Sequence, residues 1–288
     1  MGSVFVTGAT GTVGSAVVKH LLRLGQPVIA GIRDQSDSAR IPHPAVTREF
    51  SFDADADADA AQLDDVLEGA DRLFLMRPPA IADVQRTLFP VIDAANRRGI
   101  RQIVFLSLQG VQANRKTPHH AVEQYLRETR SPYTFLRPNF FMQNLATTYA
   151  GPIRERGEIF VPAGRSRTAF IDARDVGQVA ATTLSQPGHI GKKYTLSGEQ
   201  SLTYREVATI LTDVLGRPIR YARPTEDQYL AQLAAENLPE DYIAVQKMIH
   251  RVVRLNISAF PNHSIRKLTG QPATTFRQFA LDNTPVWG

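Results

Sequence analysis

Near the start of the chain, Gly8-Ala9-Thr10-Gly11-Thr12-Val13-Gly14 places glycine at every third position. Each glycine has a separate physical use. One permits a tight turn, one lets bare backbone N–H groups approach a ligand, and one lets a helix pack closely on a strand. Unpaired N–H groups at a helix N-terminus, together with the helix dipole, favour an anion. Between a strand and a helix, this spacing predicts the pyrophosphate site of a dinucleotide.

The residue that closes the second strand selects the dinucleotide. A carboxylate there accepts from the ribose 2′-hydroxyl of NAD, whereas an arginine accommodates the 2′-phosphate of NADP. The chain has Ile32-Arg33-Asp34, and Arg33 comes first, with a planar fork suited to phosphate. NADP(H) is the preferred cofactor. Asp34 keeps NAD(H) open as the alternative.

These residues need a frame. Val4-Phe5-Val6-Thr7, Val28 to Ile32, Val46 to Phe52, Arg72 to Met76, Ile103 to Leu106 and Tyr133 to Leu136 read as six strands. Between them, apolar residues recur at helical spacing, as in Val13, Val17, Leu21 and Leu24, and again in Val84, Leu88, Val91 and Ala95. Strands alternating with helices predict an α/β fold, a Rossmann-like, doubly wound parallel sheet. Past residue 150 the alternation loosens, and Thr203-Tyr204-Arg205-Glu206 announces a helix with a capping box that ends at Gly216. The last third reads as a smaller, mostly helical lobe closing over the sheet's C-terminal edge. The boundaries expected are 1–150 for the dinucleotide domain and 151–288 for the lobe, with about 172–198 returning to the sheet.

Ligands of open α/β sheets bind outside the strand C-termini, which nominates further residues. Met76 and Arg77 follow the fourth strand, Ser107 ends the fifth, and Pro138-Asn139-Phe140-Phe141 follows the sixth. Asn139 could present an amide to a nicotinamide or an acceptor, and Phe141 could stack on a flat substrate. Thr117 and Pro118 fit N-cap and first-turn positions, putting His119 where the helix dipole disfavours imidazolium. The expectation is a neutral ring able to donate one hydrogen bond.

Composition excludes several classes. The 288 residues include 33 Lys+Arg and 28 Asp+Glu, a net charge of +5, with 43% hydrophobic residues and no cysteine. Disulfide frameworks, thiolate nucleophiles and Cys-ligated metals are excluded. The charge surplus is mild and unclustered, so no direct nucleic-acid binding is expected. No apolar run reaches the ~20 residues of a membrane span, and the first residues carry neither a signal-peptide pattern nor a myristoylation pattern. A cytoplasmic location is the expectation. Asp53 to Asp59 alternates carboxylates with alanine, but a calcium loop needs glycine where Ala58 stands. Neither a His-Glu-x-x-His pattern nor a Gly-x-Ser-x-Gly elbow occurs, and no metal is expected.

The glycine turn, Arg33, Phe170-Ile171-Asp172-Ala173-Arg174-Asp175-Val176, Leu202-Thr203-Tyr204-Arg205-Glu206-Val207 and Gly270-Gln271-Pro272-Ala273-Thr274-Thr275 resemble the NmrA-like group of atypical short-chain dehydrogenases/reductases. The resemblance covers nearly the whole chain and is strongest to the branch of quinone oxidoreductase type 2 and triphenylmethane reductase. It implies NADPH at the sheet's C-terminal edge, adenine contacts from Phe52 and Asp53, and an acceptor between two lobes. Cofactor contacts are accordingly expected from Gly8 through Gly14, Arg33, Phe52, Asp53, Met76, Arg77, Ser107, His119 and Pro138. The wider family works through a Tyr-x-x-x-Lys pair. Here no such pair occurs, and alignment puts Arg115 at the tyrosine position and His119 at the lysine position.

The function implied is an NADPH-dependent reductase of a flat conjugated acceptor, quinone or dye-like, with His119 and Asn139 as catalytic candidates. The alternative is a non-catalytic NADP(H) sensor of NmrA type acting through a regulatory protein partner. The oligomeric state stays open, a homodimer included.

Overall fold

The computed structural model describes residues 2–52 and 60–288. Asp53 and the acidic run ending at Asp59 lie outside the described residues. In chain order come β1 (Ser3–Val6), α1 (Thr12–Arg23), β2 (Val28–Ile32), β3 (Val46–Glu49), α2 (Ala60–Val66), β4 (Ala70–Met76), α3 (Val84–Arg97), β5 (Gln102–Leu106), α4 (Pro118–Glu128) and β6 (Tyr133–Pro138). There follow α5 (Gln143–Ala146), α6 (Ala150–Arg156), β7 (Glu158–Ile159), β8 (Arg167–Thr168), α7 (Ala173–Ser185), β9 (Lys193–Leu196) and β10 (Leu202–Thr203). The chain continues through α8 (Tyr204–Leu215), β11 (Arg220–Tyr221), α9 (Glu226–Ala235), α10 (Glu240–Arg254), α11 (Ser264–Thr269) and α12 (Phe276–Asp282). These elements form two compact units. Unit 1 is Met1–Pro138 (in its described part), Ala173–Leu196 and Lys267–Gly270; unit 2 is Asn139–Asp172, Ser197–Arg266 and Gln271–Gly288.

Unit 1 is a seven-stranded sheet in the order β3-β2-β1-β4-β5-β6-β9, parallel at every pairing. The order reverses between β1 and β4, the switch point where such sheets bind ligands. β2 and β5 are buried along their whole length, and continuous apolar runs are what parallel strands covered on both faces require. β3 ends at Glu49, three residues short of the end that the apolar pattern predicts at Phe52. Phe50 still donates its N–H to Ile32 O at 2.8 Å. The Phe50 ring then meets Phe52 edge-on at 4.7 Å and Phe5 at 5.6 Å. The apolar signal there belongs to an aromatic cluster rather than to a ladder.

α1 and α7 approach closely because Gly177 has no side chain. A Cβ on Gly177 would stand 2.5 Å from the Ala16 Cβ and 2.8 Å from the Ala16 carbonyl carbon. Helix boundaries follow local chemistry. Asp83 caps α3 by accepting from Gln85 and Arg86 N–H groups at 3.2 Å, and Gly25 follows α1 at φ 65°, as left-handed C-terminal glycines do.

Unit 2 is mostly helical, with the small sheets β10-β8 and β11-β7. Its core gathers Phe170, Tyr204, Phe276, Phe279 and Trp287, and the Trp287 indole donates to Leu145 O at 2.8 Å. Thr203 and Glu206 form the expected reciprocal cap on α8, and Gly216 ends that helix in the left-handed region.

Overpacking of the α1–α7 contact gives a test of this frame. Gly177→Val should lower the unfolding free energy by about 1–3 kcal/mol, read by denaturant titration. Wild-type stability in that variant would mean the two helices can separate freely.

Candidate functional site

The glycine turn sits at the C-terminal end of β1 and opens α1. Gly8 adopts φ 62°, a left-handed conformation that favours glycine. A Cβ there would also stand 2.5 Å from Met76 Sδ, so Met76 lies directly over the turn. Gly11 N–H donates to Gly8 O at 2.9 Å, closing the turn. Gly14 is the tightest position, since its Cβ would fall 2.0 Å from Gly8 O. Gly11 is the N-cap of α1 and supplies no side-chain acceptor. The first N–H groups of a helix have no intrahelical partner, and here no cap side chain competes with an anion for them. Thr7 ties the turn to β4, its hydroxyl donating to Phe74 O and accepting from Met76 N–H, both at 3.0 Å.

Arg33 is exposed immediately after β2. Asp34 is turned to another task, capping the short 3-10 helix Gln35–Arg40 by accepting the Ser36 N–H at 2.7 Å. Hydrogen bonds from Ser36 hold its carboxyl below the usual aspartate range. Arg40, which the sequence did not nominate, returns to the glycine turn. It donates to Thr10 O at 3.0 Å and pairs with Asp37 at 2.9 Å. Nothing local signals this, because the contact spans 30 residues of chain.

At the other side of the switch point, Arg77 is clamped by the backbone that follows it. Its Nη1 donates to Pro78 O and Pro79 O at 3.0 Å and also to Ile81 O. Its Nε is buried without a partner, and burial pulls its pKa down. His119 stands in the first turn of α4, behind the Thr117 cap and Pro118, with its ring 6.1 Å from that of Phe105. Burial, then the Arg77 charge, lower its pKa to about 4, with Glu123 opposing them. The ring is neutral, as expected, but tertiary burial is the main cause. His120 is turned toward Val111 O, with Nδ1 at 3.3 Å.

Glu123, one turn along α4, is a second residue that sequence reasoning passed over, although i+4 spacing from His119 could have flagged it. Its carboxylate is buried and receives Ser107 Oγ at 2.7 Å, Arg137 Nε at 2.8 Å and Nη2 at 2.5 Å, and Arg127 Nη2 at 2.9 Å. Burial pushes this carboxyl up, but the Arg137 and Ser107 hydrogen bonds outweigh it and hold the pKa below the usual glutamate range. Ser107 therefore spends its hydroxyl proton on this network. Pro138 ends β6, its carbonyl accepting Gln109 N–H at 3.0 Å, and Phe52 is buried in the core of unit 1.

Asn139 and Phe141 belong to unit 2. Asn139 Nδ2 donates to Ser258 O, and its Oδ1 accepts Phe140 N–H, both at 2.8 Å, so the amide holds backbone at both ends. Phe141 is half-buried on a bridge to Ile171. Among the described residues, no group of three or more acidic, His or Cys side chains could hold a metal, and no helix is long and apolar enough to cross a membrane.

The model of the NmrA-like family matches residues 2–280. The chain belongs to the NmrA-like family. Among relatives, it is 31% identical to the NAD(P)H azoreductase of Xenophilus azovorans, over 99% of each chain. It is 26% identical to quinone oxidoreductase 2 of Escherichia coli, over 95% of this chain and 96% of that one. The Citrobacter sp. triphenylmethane reductase, solved with NADP(H), shares the fold at a TM-score of 0.85 with 23% identity, over 98% of this chain and 100% of that one. In this NmrA-like chain, then, a glycine turn, two arginines and a neutral histidine border the switch point of one sheet.

The His119 environment makes a pH prediction. Its folded pKa, about 4, lies below the unfolded value near 6.5, so between these the unfolded state binds more protons. Wholly buried His250 of unit 2, also near 4, acts with the same sign. Stability should be full above pH 6.5 and fall as pH drops toward 4, by up to about 3 kcal/mol per histidine. Urea titrations across that window should show it, and His119→Gln should flatten the slope. An imidazole resonance of His119 titrating near pH 6.5 would refute the assignment.

Proposed function

We propose that this NmrA-like chain is an NADPH-dependent reductase of flat, conjugated acceptors such as quinones, azo compounds or cationic dyes. The observation that carries the cofactor reading is the cradle itself. Gly8, Gly11 and Gly14 leave bare backbone where side chains would stand, at an N-terminus with no competing cap, which fits a pyrophosphate. Gly8 to Gly14, Met76 and Arg77 would border the dinucleotide, with Phe52 and Asp53 toward adenine. Arg33 would take the 2′-phosphate, a role strengthened by Asp34, whose carboxylate is held by Ser36. Arg40, bonded to Thr10 O, adds positive charge beside the turn. When bound, NADPH supplies a hydride.

What the chain's own residues leave out narrows the acceptor. Reducing a simple ketone develops an alkoxide, which needs a positioned acid. His119 is neutral at pH 7 and so a poor acid, and an arginine such as Arg115 does not release its proton. An acceptor that delocalises or neutralises the added charge needs proximity and stacking instead. The azoreductase, quinone oxidoreductase and triphenylmethane reductase relatives carry names of that acceptor class. On this reading His119 positions cofactor and acceptor as a neutral donor. Glu123 and Arg137 brace α4 beneath it, and Asn139 orders the chain after β6 through Ser258.

Two measurements test this. Arg33→Ala should weaken NADPH binding by roughly ten- to a hundredfold, the equivalent of one charge-assisted contact, and leave NADH binding unchanged. Equal weakening of both would transfer cofactor selection to another residue. In an acceptor panel followed by NADPH absorbance, quinones, azo compounds or cationic triaryl dyes should be turned over and aliphatic ketones should not. His119→Ala should slow the first group only modestly. Ketone turnover abolished by His119→Ala would make His119 a general acid and overturn the reading. Binding of NADPH with no turnover of any acceptor would favour a sensor.

A further inference from the structure

Arg77 is a half-buried cation at the C-terminal end of β4, and among the described residues no carboxylate pairs with it. Its Nη1 is held instead by three carbonyl oxygens, those of Pro78, Pro79 and Ile81. Carbonyls fix a guanidinium in place without cancelling its charge, and a charge out of water is costly unless paired. Nε is buried without a partner, and Nη2 donates to no described residue.

Nε and Nη2 form the edge with which two other arginines of this chain grip oxyanions. Arg137 presents it to Glu123 at 2.8 and 2.5 Å, and Arg266 presents it to Glu199 at 3.1 and 2.6 Å. This planar fork is what makes arginine a receptor for paired or diffuse negative charge. On Arg77 the same edge holds no described oxygen.

The sheet register brings Arg77 and His119 to one place. β4 and β5 pair Leu75 with Phe105 and Met76 with Leu106, so Arg77 follows at the level of Ser107. The His119 ring lies 6.1 Å from that of Phe105, at the same end of the same two strands, and the Arg77 charge helps to depress its pKa. Glu123 does not answer that charge, because its carboxylate is taken by Arg137, Arg127 and Ser107.

The reductase chemistry supplies an anion of the right kind. Hydride transfer to a quinone breaks one C–H bond of the dihydronicotinamide and forms one O–H bond with the hydride's electron pair. The quinone's own π electrons shift through the ring onto the second oxygen, which becomes an oxyanion until water protonates it. A cationic triaryl dye differs, since hydride forms a C–H bond at its central carbon and the displaced electrons cancel the iminium charge. No anion results. We propose, resting on the reductase reading above, that Arg77 is a catalytic cation that stabilises the oxyanion left on a quinone and so sets the preference among acceptors. A guanidinium already clamped by its own loop needs no reorganisation as that charge develops.

The test compares two acceptors on the full chain at saturating NADPH. The ratio of kcat/KM for 1,4-naphthoquinone to that for malachite green should fall at least about tenfold in Arg77→Gln. Both acceptors draw on the same bound dinucleotide, so a cofactor defect cancels in the ratio. Arg77→Lys keeps the charge and should recover most of the loss. Binding gives a readout free of turnover. By calorimetry with NADP+ present, 2-hydroxy-1,4-naphthoquinone, an anion at neutral pH, should bind the wild type more tightly than neutral 1,4-naphthoquinone. Arg77→Gln should abolish that preference; if this variant fails to fold, the wild-type preference and the Lys variant still decide. An unchanged acceptor ratio in folded Arg77→Gln, or a wild type indifferent to the anion, would overturn the proposal and leave the reductase reading standing. A wild type that turns over neither acceptor would overturn that reading and this proposal with it.

Discussion

A single backbone contact constrains the N-terminal unit. With Gly8 left-handed and its carbonyl oxygen 2.0 Å from where a Gly14 Cβ would stand, the β1–α1 turn can close only without side chains at both positions. That closure sets the direction of α1, which packs against α7 through Gly177, and α7 lies between β8 and β9 in the chain. The same closure leaves Gly11 as a cap with no side chain. A fold requirement and a ligand-binding property thus come from the same atoms. Met76 and Thr7 then fasten the turn to β4 across the switch point.

The second constraint is electrostatic and sits under α4. A buried carboxylate is costly unless paired and hydrogen-bonded, and Glu123 is both, through Arg137, Ser107 and Arg127. Its negative charge opposes the effect of Arg77 on His119, yet burial and Arg77 together prevail and keep the ring neutral. A neutral imidazole can donate one hydrogen bond and is a poor acid. The same unit directs Asp34 to its own backbone and leaves Arg33 exposed.

Unit 2 follows a different physical plan. Its core is aromatic, built from Phe170, Tyr204, Phe276, Phe279 and Trp287, and α10 joins it through Val253 and through the buried polar side chains of Gln246 and His250.

The sequence alone determined what depends on neighbours in the chain. Six strands at the right places, the Thr203–Glu206 cap, the Thr117–Pro118 helix start and the glycine turn follow from periodicity, capping and steric rules that act over a few residues. Where apolar runs had two explanations, local rules stopped short: the stretch ending at Phe52 reads as strand, yet past Glu49 it packs as an aromatic cluster. The tertiary structure decided the rest, because each deciding contact joins distant segments. Arg40 meets Thr10, Glu123 meets Arg137, Arg77 lowers the His119 pKa, and Ser258 takes the Asn139 amide. Propensity fixes which groups a segment carries; only long-range packing fixes which of them lose water, and burial is what sets their charge and their partners.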